Sequence, residues 1–513
     1  MTDRPPDLAA RLAETAARVP DKAALLWQDK VVSYAELDRR VTGGAAGLQS
    51  LGVEPGDRVA LMVGNTPAFV EAHFSTLRAG AVVVPLNTGL TSAEVEHILR
   101  DSGTEVVVVT APVAPVVLAL VDQLAALRHV VVVTGGGDAP DGATATWHEL
   151  REAGHPFTAV DRAPDDLAAL VYTSGTTGDP KGAMLTRTNL AANQDQSLAG
   201  RLRIEQDDVV LLVLPLFHIY ALNVGLGASV RVGATMLLVE RFDPTTTLAE
   251  IAAHGATIIL GAPPMYVAWA NTPGAEHVDL SRVRIAVSGA APLAPQVLGR
   301  FQDQFGLPIW EGYGLTEAAP SVASNAMGQE PRPGSVGLPV PDLEVRLVDE
   351  RGRDVEQGDP GEVWVRGPNV FQGYWNDPAA TAEALTDDGW LRTGDVATQD
   401  EDGYLYLVDR RKDLIIVSGF NVYPREVERV IYQHPAVAEC AVVGIPHPYT
   451  GEAVKAFVVP VAGEEVSEDE IASFCRGSLA RYKCPEAVEV VGDLPHTATG
   501  KIKRGQLRDP AGA

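Results

Sequence analysis

Cysteine is scarce in this sequence: Cys440, Cys475 and Cys484 are the only three in 513 residues. They form no CxxC pair and no Cys/His zinc spacing, which argues against a disulfide framework and a structural zinc module and fits a reducing cytoplasm. Positive charge is short as well. Lys and Arg number 41 against 67 Asp and Glu, a net charge of −26. A nucleic-acid partner needs clustered cations, and an anionic membrane repels such a surface. The longest uncharged apolar run, 106–121, is too short to cross a bilayer and contains Pro112 and Pro115. It reads as a buried strand over 106–109, then a turn and a helix. The opening residues, MTDRPPDLAARLAE, hold charges and prolines where a signal peptide needs an apolar core. No GxxxxGK[ST] loop, no GxSxG elbow and no Cys/His nucleophile signature occurs. A P-loop ATPase and covalent hydrolases are thereby disfavoured.

What is present is an ordinary globular composition with apolar residues at 46%, enough to fill a large core. A chain of 513 residues predicts more than one domain. Short Val/Leu-rich runs at 59–63, 81–85, 106–109 and 130–133 alternate with helical patterns such as 92–100. The alternation continues through 209–214, 257–260 and 284–287. It predicts an α/β fold of βαβ units and largely parallel sheets. Ser33–Glu36 and Thr91–Glu94 have capping-box spacing. From about 334 to 409 the texture changes to short strands (344–348, 362–365, 404–408) between turn sequences, a β-rich subdomain. The basic triplet 410–412 marks a boundary between an N-terminal domain, 1–409, and a compact α+β C-terminal domain, 410–513. The Gly/Ala-rich stretch at 135–145 reads as a surface loop.

The strongest chemical signal is YTSGTTGDPKG at 172–182, led in by the apolar run 167–171. Gly175 and Gly178 permit close backbone approach. Thr173, Ser174, Thr176 and Thr177 add hydroxyl donors, and Lys181 adds charge. Together they suit a polyphosphate cradle. This segment resembles the phosphate-binding signature of the adenylate-forming superfamily, which includes acyl-CoA synthetases, luciferases and peptide-synthetase adenylation domains. The resemblance covers nearly the whole chain, in order: PLFH (215–218), SGAAPL (288–293), EGYGLTE (311–317), GEVWVRGPNVFQGYW (361–375), GWLRTGD (389–395), VDRRKDLIIVSGFNVYPREVE (408–428) and TGKIKR (499–504).

The resemblance implies a large N-terminal domain with a small mobile C-terminal one, and ATP with Mg2+, a carboxylic acid and coenzyme A as partners. A homodimer is compatible with it. It implies that Thr316 and Glu317 face the phosphates and metal, with Thr177 a further metal candidate. Gly289, Ala290, Ala291, Glu311, Gly312, Tyr313 and Gly314 flank the adenine. Asp395, with Val408 and Arg410, takes the ribose. Lys501 bridges the acyl carboxylate and the α-phosphate, and His218 lines the carboxylate entry without an acid/base role. Lys412 is the hinge, and Ser418, Gly419 and Phe420 turn toward the thiol in a second arrangement of the domains. Catalysis would need no protein nucleophile, only positioning and neutralisation of charge.

For the acid, peptide-synthetase domains place an Asp where His218 stands, so an amino acid is disfavoured. Ala221, Gly261, Ala262, Pro263, Met265, Gly289 and Leu315 are small or apolar pocket candidates, which suits an apolar acyl group. SGFNVYPREVE resembles medium- and long-chain fatty acid ligases, whereas FHIYALN and VDRRKDLI also resemble 4-coumarate ligases and beetle luciferases. The expectation is a fatty acid, with an aryl acid as its competitor. An adenylation-only enzyme serving a carrier protein would bring an extra insertion before the C-terminal domain. A non-catalytic nucleotide binder would have lost Lys501, Glu317 or the phosphate loop.

Overall fold

The computed structural model describes residues 8–173, 180–291, 293, 295–410, 413–417, 420–447, 449–461, 463–497 and 501–508. The alternating runs form two large sheets. One has seven strands, ordered Ala145–Thr146, His129–Val133, Val106–Thr110, Arg58–Met62, Val82–Pro85, Leu167–Thr173, Lys181–Thr186. Its neighbours are parallel except for the last pair, an antiparallel hairpin whose connection is the phosphate-loop motif. Val82–Pro85 is buried along its whole length, as it is in a parallel sheet covered on both faces.

The second sheet has nine strands. Its parallel centre runs Ile309–Gly314, Ile285–Ser288, Ile258–Gly261, Val209–Leu212, Thr235–Leu238, Ala23–Trp27. From Val209–Leu212 the chain goes to one side and then returns to the other. The reversal separates the connections leaving Val209–Leu212 and Ile258–Gly261, and such a reversal leaves room for a crevice beyond the carboxyl ends of those strands. In open α/β sheets this is where ligands bind.

A four-stranded antiparallel sheet, Glu344–Val348, Gly361–Arg366, Leu391–Gln399 and Leu405–Arg410, occupies most of the expected β-rich stretch. Leu338–Pro339 joins the edge of the nine-stranded sheet instead. A further sheet lies wholly within 415–490. It packs the helices Pro424–Ile431 and Glu468–Arg476 on a separate core that includes Val427, Ile431, Val442, Val458 and Ile471. Cys440 and Cys475 lie in that core as free thiols whose pKa values burial pushes up, so they are weak nucleophiles.

The helix starts differ in one detail from the sequence reading. Thr91 and Glu94 form a complete capping box. Ser33 Oγ accepts the Glu36 N–H, but the Glu36 carboxylate is taken by Arg39 and Arg40, one turn further on. Three charge-assisted bonds from these two guanidinium groups outcompete the single reciprocal bond to the Ser33 amide.

Candidate active site

The mouth of the crevice is built by an eight-residue π-helix, Tyr220–Gly227, directly after His218. Such turns are rare and usually mark functional segments. Buried Asn223 holds this one in place. Its Nδ2 donates to Leu190 O at 3.0 Å and to Ala319 O at 2.7 Å, and its Oδ1 accepts from Gln194 at 2.8 Å. His218 Nδ1 accepts the Tyr220 N–H at 3.3 Å, which leaves the ring proton on Nε2. Burial in the crevice, with the nearby charge of Lys501 adding to it, holds the imidazole down at about 4. His218 is therefore a neutral donor at physiological pH, in keeping with a lining role.

Lys501 reaches this mouth from the C-terminal end of the chain. Its loop is closed by Thr497 N–H to Lys501 O at 2.8 Å, Lys501 N–H to Thr497 Oγ1 at 3.0 Å and Lys503 N–H to Pro495 O at 2.7 Å. Lys503 in turn adds to the lowering of the Glu94 pKa after the larger effect of the Thr91 cap, so its charge stands near the start of the helix Ser92–Ser102. The sequence placed Lys501 and His218 in one site, and the structure brings them together.

The candidate nucleotide wall follows from the next two strand ends. Gly289 donates to Gly261 O at 3.1 Å, and Ala290 sits at φ +71, a left-handed conformation that costs an alanine about 1 kcal/mol or more. The Glu311 side chain is engaged with the protein itself: its buried carboxylate accepts the Leu293 N–H at 3.3 Å and a bond from Gly334, so it ties down the loop that carries Leu293. Burial, opposed by those two bonds, raises its pKa to about 7. Tyr313 and Asp395, 82 residues apart, meet directly: the phenol donates to Asp395 Oδ2 at 2.6 Å. Asp395 is itself paired by its backbone with Arg410, and Val408 is partly buried on the same strand. An adenosine laid across this wall would meet the tyrosine ring and then the carboxylate.

Ser174, Gly175, Thr176, Thr177, Gly178, Lys412, Ser418 and Gly419 lie outside the described residues. The flanks of the phosphate loop are placed by Thr173 and Lys181, which pair across the hairpin. Lys181 Nζ stands 3.4 Å from Asp377 and 5.6 Å from the ring centroid of Tyr374. The Tyr374 hydroxyl donates to Glu317 Oε1 at 2.6 Å. Thr316 and Glu317 occupy a short 3-10 turn, Thr316–Ala318, and both are partly buried. A half-exposed carboxylate with one oxygen anchored suits Mg2+, a hard cation that takes one or two carboxylates plus phosphate oxygens. Phe420 is 56% exposed and leans on Tyr482, with ring centroids 4.9 Å apart.

The acyl-pocket candidates lie around the same crevice. Ala221 and Ala262 are buried, Met265 and Leu315 pack partly exposed against the core, and Pro263 is buried at the start of the helix Pro263–Ala270. At two of the strand ends a tyrosine ring occupies the space beside a glycine. A Cβ on Gly261 would come within 2.8 Å of Tyr266, and one on Gly289 within 3.0 Å of Tyr220. The reading from sequence missed Tyr220, Tyr266, Asn223 and Tyr374. Tyr220, Asn223 and Tyr374 had a signal, since all three stand inside motifs already singled out.

The chain matches the AMP-binding enzyme family over residues 12–375 and the AMP-binding enzyme C-terminal domain over 426–501. It is 39% identical to a long-chain-fatty-acid–CoA ligase of Escherichia coli O157:H7, covering 99% of this chain and 95% of that one. It is 42% identical to a feruloyl-CoA synthase of an Amycolatopsis species, covering 95% and 96%. The crystal structure of ATP-bound MatB from Rhodopseudomonas palustris superposes with a TM-score of 0.90 at 35% identity, over 98% of both chains. The chain belongs to the AMP-binding enzyme family. Within it, the protein is an acyl- or aryl-CoA ligase, and membership implies ATP and coenzyme A as co-substrates. No helix among the described residues is long and apolar enough to cross a membrane.

Proposed function

We propose that this ligase activates a medium- or long-chain fatty acid as its acyl adenylate and passes the acyl group to coenzyme A in the cytoplasm. The observation that carries the reading is Lys501, whose charge is felt by His218 at the mouth of the crevice. A carboxylate entering past His218 would meet this cation as its oxygen attacks the α-phosphorus of ATP. Pyrophosphate leaves, and Lys501 offsets the charge gathering on the phosphoryl group. The neutral His218 Nε2–H can orient the incoming carboxylate without taking its proton. Glu317, with Thr177 as a second candidate, would hold Mg2+, which supplies charge neutralisation on the departing phosphates. Tyr313 and Asp395 would fix the adenosine. In the second step the thiolate of coenzyme A attacks the acyl carbonyl and AMP leaves, with Lys412 as hinge and 418–420 on the thiol side. The fatty-acid choice is supported by the apolar walls at Ala221, Ala262, Met265 and Leu315 and by the ligase of E. coli.

An aryl acid has one observation of its own. The Tyr220 hydroxyl is buried beside Gly289 and has no hydrogen-bond partner among the described residues. An orphaned phenol costs about 1–3 kcal/mol, which an oxygen substituent on an aromatic acid would relieve. The test is AMP release with ATP and coenzyme A across saturated acids from butyrate to stearate and across benzoic, cinnamic and hydroxylated cinnamic acids. The expected result is a maximum on a fatty acid, undiminished in Tyr220→Phe. A maximum on a hydroxylated aryl acid that drops about tenfold in Tyr220→Phe, but not for the unsubstituted acid, would replace the fatty-acid assignment.

A further inference from the structure

Glu317 is gripped from a single short segment. Residues 371–375 run alongside Lys181–Thr186, the strand that leaves the phosphate loop. They are tied to it by Met184 N–H to Gly373 O at 2.9 Å, Gln372 N–H to Met184 O at 3.1 Å and Trp375 N–H to Gly182 O at 2.8 Å. From this segment the Phe371 N–H donates to Glu317 O at 2.9 Å and the Tyr374 hydroxyl donates to Glu317 Oε1. The Phe371 ring stands edge-on to Tyr374 with centroids 5.0 Å apart, and the Tyr374 amide donates to Thr381 Oγ1 at 2.9 Å. The phenol is therefore fixed in position before any ligand arrives. Among the described residues no hydrogen bond reaches the second carboxylate oxygen, Glu317 Oε2. Lys181 Nζ lies over the same ring, 5.6 Å from its centroid. One tyrosine thus stands beside both the acid and the base that flank the candidate polyphosphate cradle.

We propose that Tyr374 is a positioning residue that sets the metal affinity of the nucleotide site: it holds Glu317 Oε1 and presents Oε2 to the cation. The proposal rests on Glu317 being the metal carboxylate. A carboxylate anchored through one oxygen loses little rotamer freedom when the other binds a metal, and partners behind metal ligands typically tune affinity by about 10- to 100-fold. Tyr374→Phe removes only the hydroxyl and keeps the ring under Lys181 and against Phe371.

The experiment titrates Mn2+ into the full-length protein with ATP and no acid, so that no turnover occurs, and follows bound Mn2+ by electron paramagnetic resonance. ATP affinity without metal is measured by calorimetry. Tyr374→Phe is expected to weaken Mn2+ binding about tenfold while metal-free ATP affinity stays within about twofold. Glu317→Gln is expected to weaken Mn2+ at least as much, and Tyr374→Phe should add nothing in that background. Unchanged Mn2+ affinity in Tyr374→Phe, with Glu317→Gln impaired, overturns the role of Tyr374 alone. Unchanged affinity in Glu317→Gln overturns the metal assignment of Glu317 and the proposal with it. An equal loss of metal-free ATP affinity in Tyr374→Phe would mark a structural tie and also overturn the proposal.

Discussion

Lys501→Ala is expected to slow adenylation by about two to three orders of magnitude while leaving thioester formation from a preformed acyl adenylate within about twofold. The asymmetry follows from where charge develops. Attack by a carboxylate on the α-phosphorus brings two anions together, and the surrounding protein carries a net charge of −26. A cation at that point lowers the barrier far more inside a crevice than it would in water. Thiolysis of the anhydride releases AMP and brings no second anion to phosphorus, so the same lysine has little left to do. Lys501 is suited to the first step by its setting: two main-chain bonds to Thr497 close its loop, and its charge reaches His218. Rapid-quench release of pyrophosphate and thiolysis of synthetic acyl-AMP measure the two steps separately. Equal losses in both would show that Lys501 supports the fold of its loop and not the chemistry of adenylation.

Much of this site was legible because it sits where the chain must turn. Strands such as Val106–Thr110 and His129–Val133 are runs of β-branched residues, which favour a buried strand. The residues that follow such strands are glycines, hydroxyls and charges at fixed offsets. What stayed hidden were contacts between distant parts of the chain. Tyr374 and Glu317 are 57 residues apart, and both belong to quoted motifs, yet nothing in either motif says that one bonds the other. The direction of a side chain was hidden too. Glu311 and Tyr313 lie two apart on one strand and point to the same side, yet Glu311 is spent on the main chain at Leu293 while Tyr313 reaches Asp395. Sequence spacing could place both on one face but could not say which would be taken by a neighbouring loop. The π-helix was equally invisible, since Tyr220–Gly227 has no pattern that separates it from an ordinary helix.

Glu311 carries the second large expectation. Its pKa of about 7 in the folded protein lies above the ordinary carboxylate value of 4.5. The folded state therefore keeps a proton that the unfolded chain releases, and stability falls as pH rises from about 4.5 to about 7. Above that window both states are ionised, and the full cost of the buried charge remains. Two and a half pKa units correspond to about 3 kcal/mol, a large share of the 5–15 kcal/mol typical of a domain. Glu311→Gln, which cannot ionise, should lose this term. Denaturant unfolding of both proteins at pH 5 and pH 8 isolates it, because shifts at other carboxylates cancel in the comparison. The wild type is expected to lose about 2–3 kcal/mol more than the variant between the two conditions. The glutamine retains a carbonyl for the Leu293 N–H, so nucleotide affinity at pH 5 should change little. At pH 8 the variant's loop should be the better held of the two against thermal unfolding. Parallel losses in the two proteins would mean that Glu311 ionises as an ordinary carboxylate and that its two main-chain bonds fully compensate its burial.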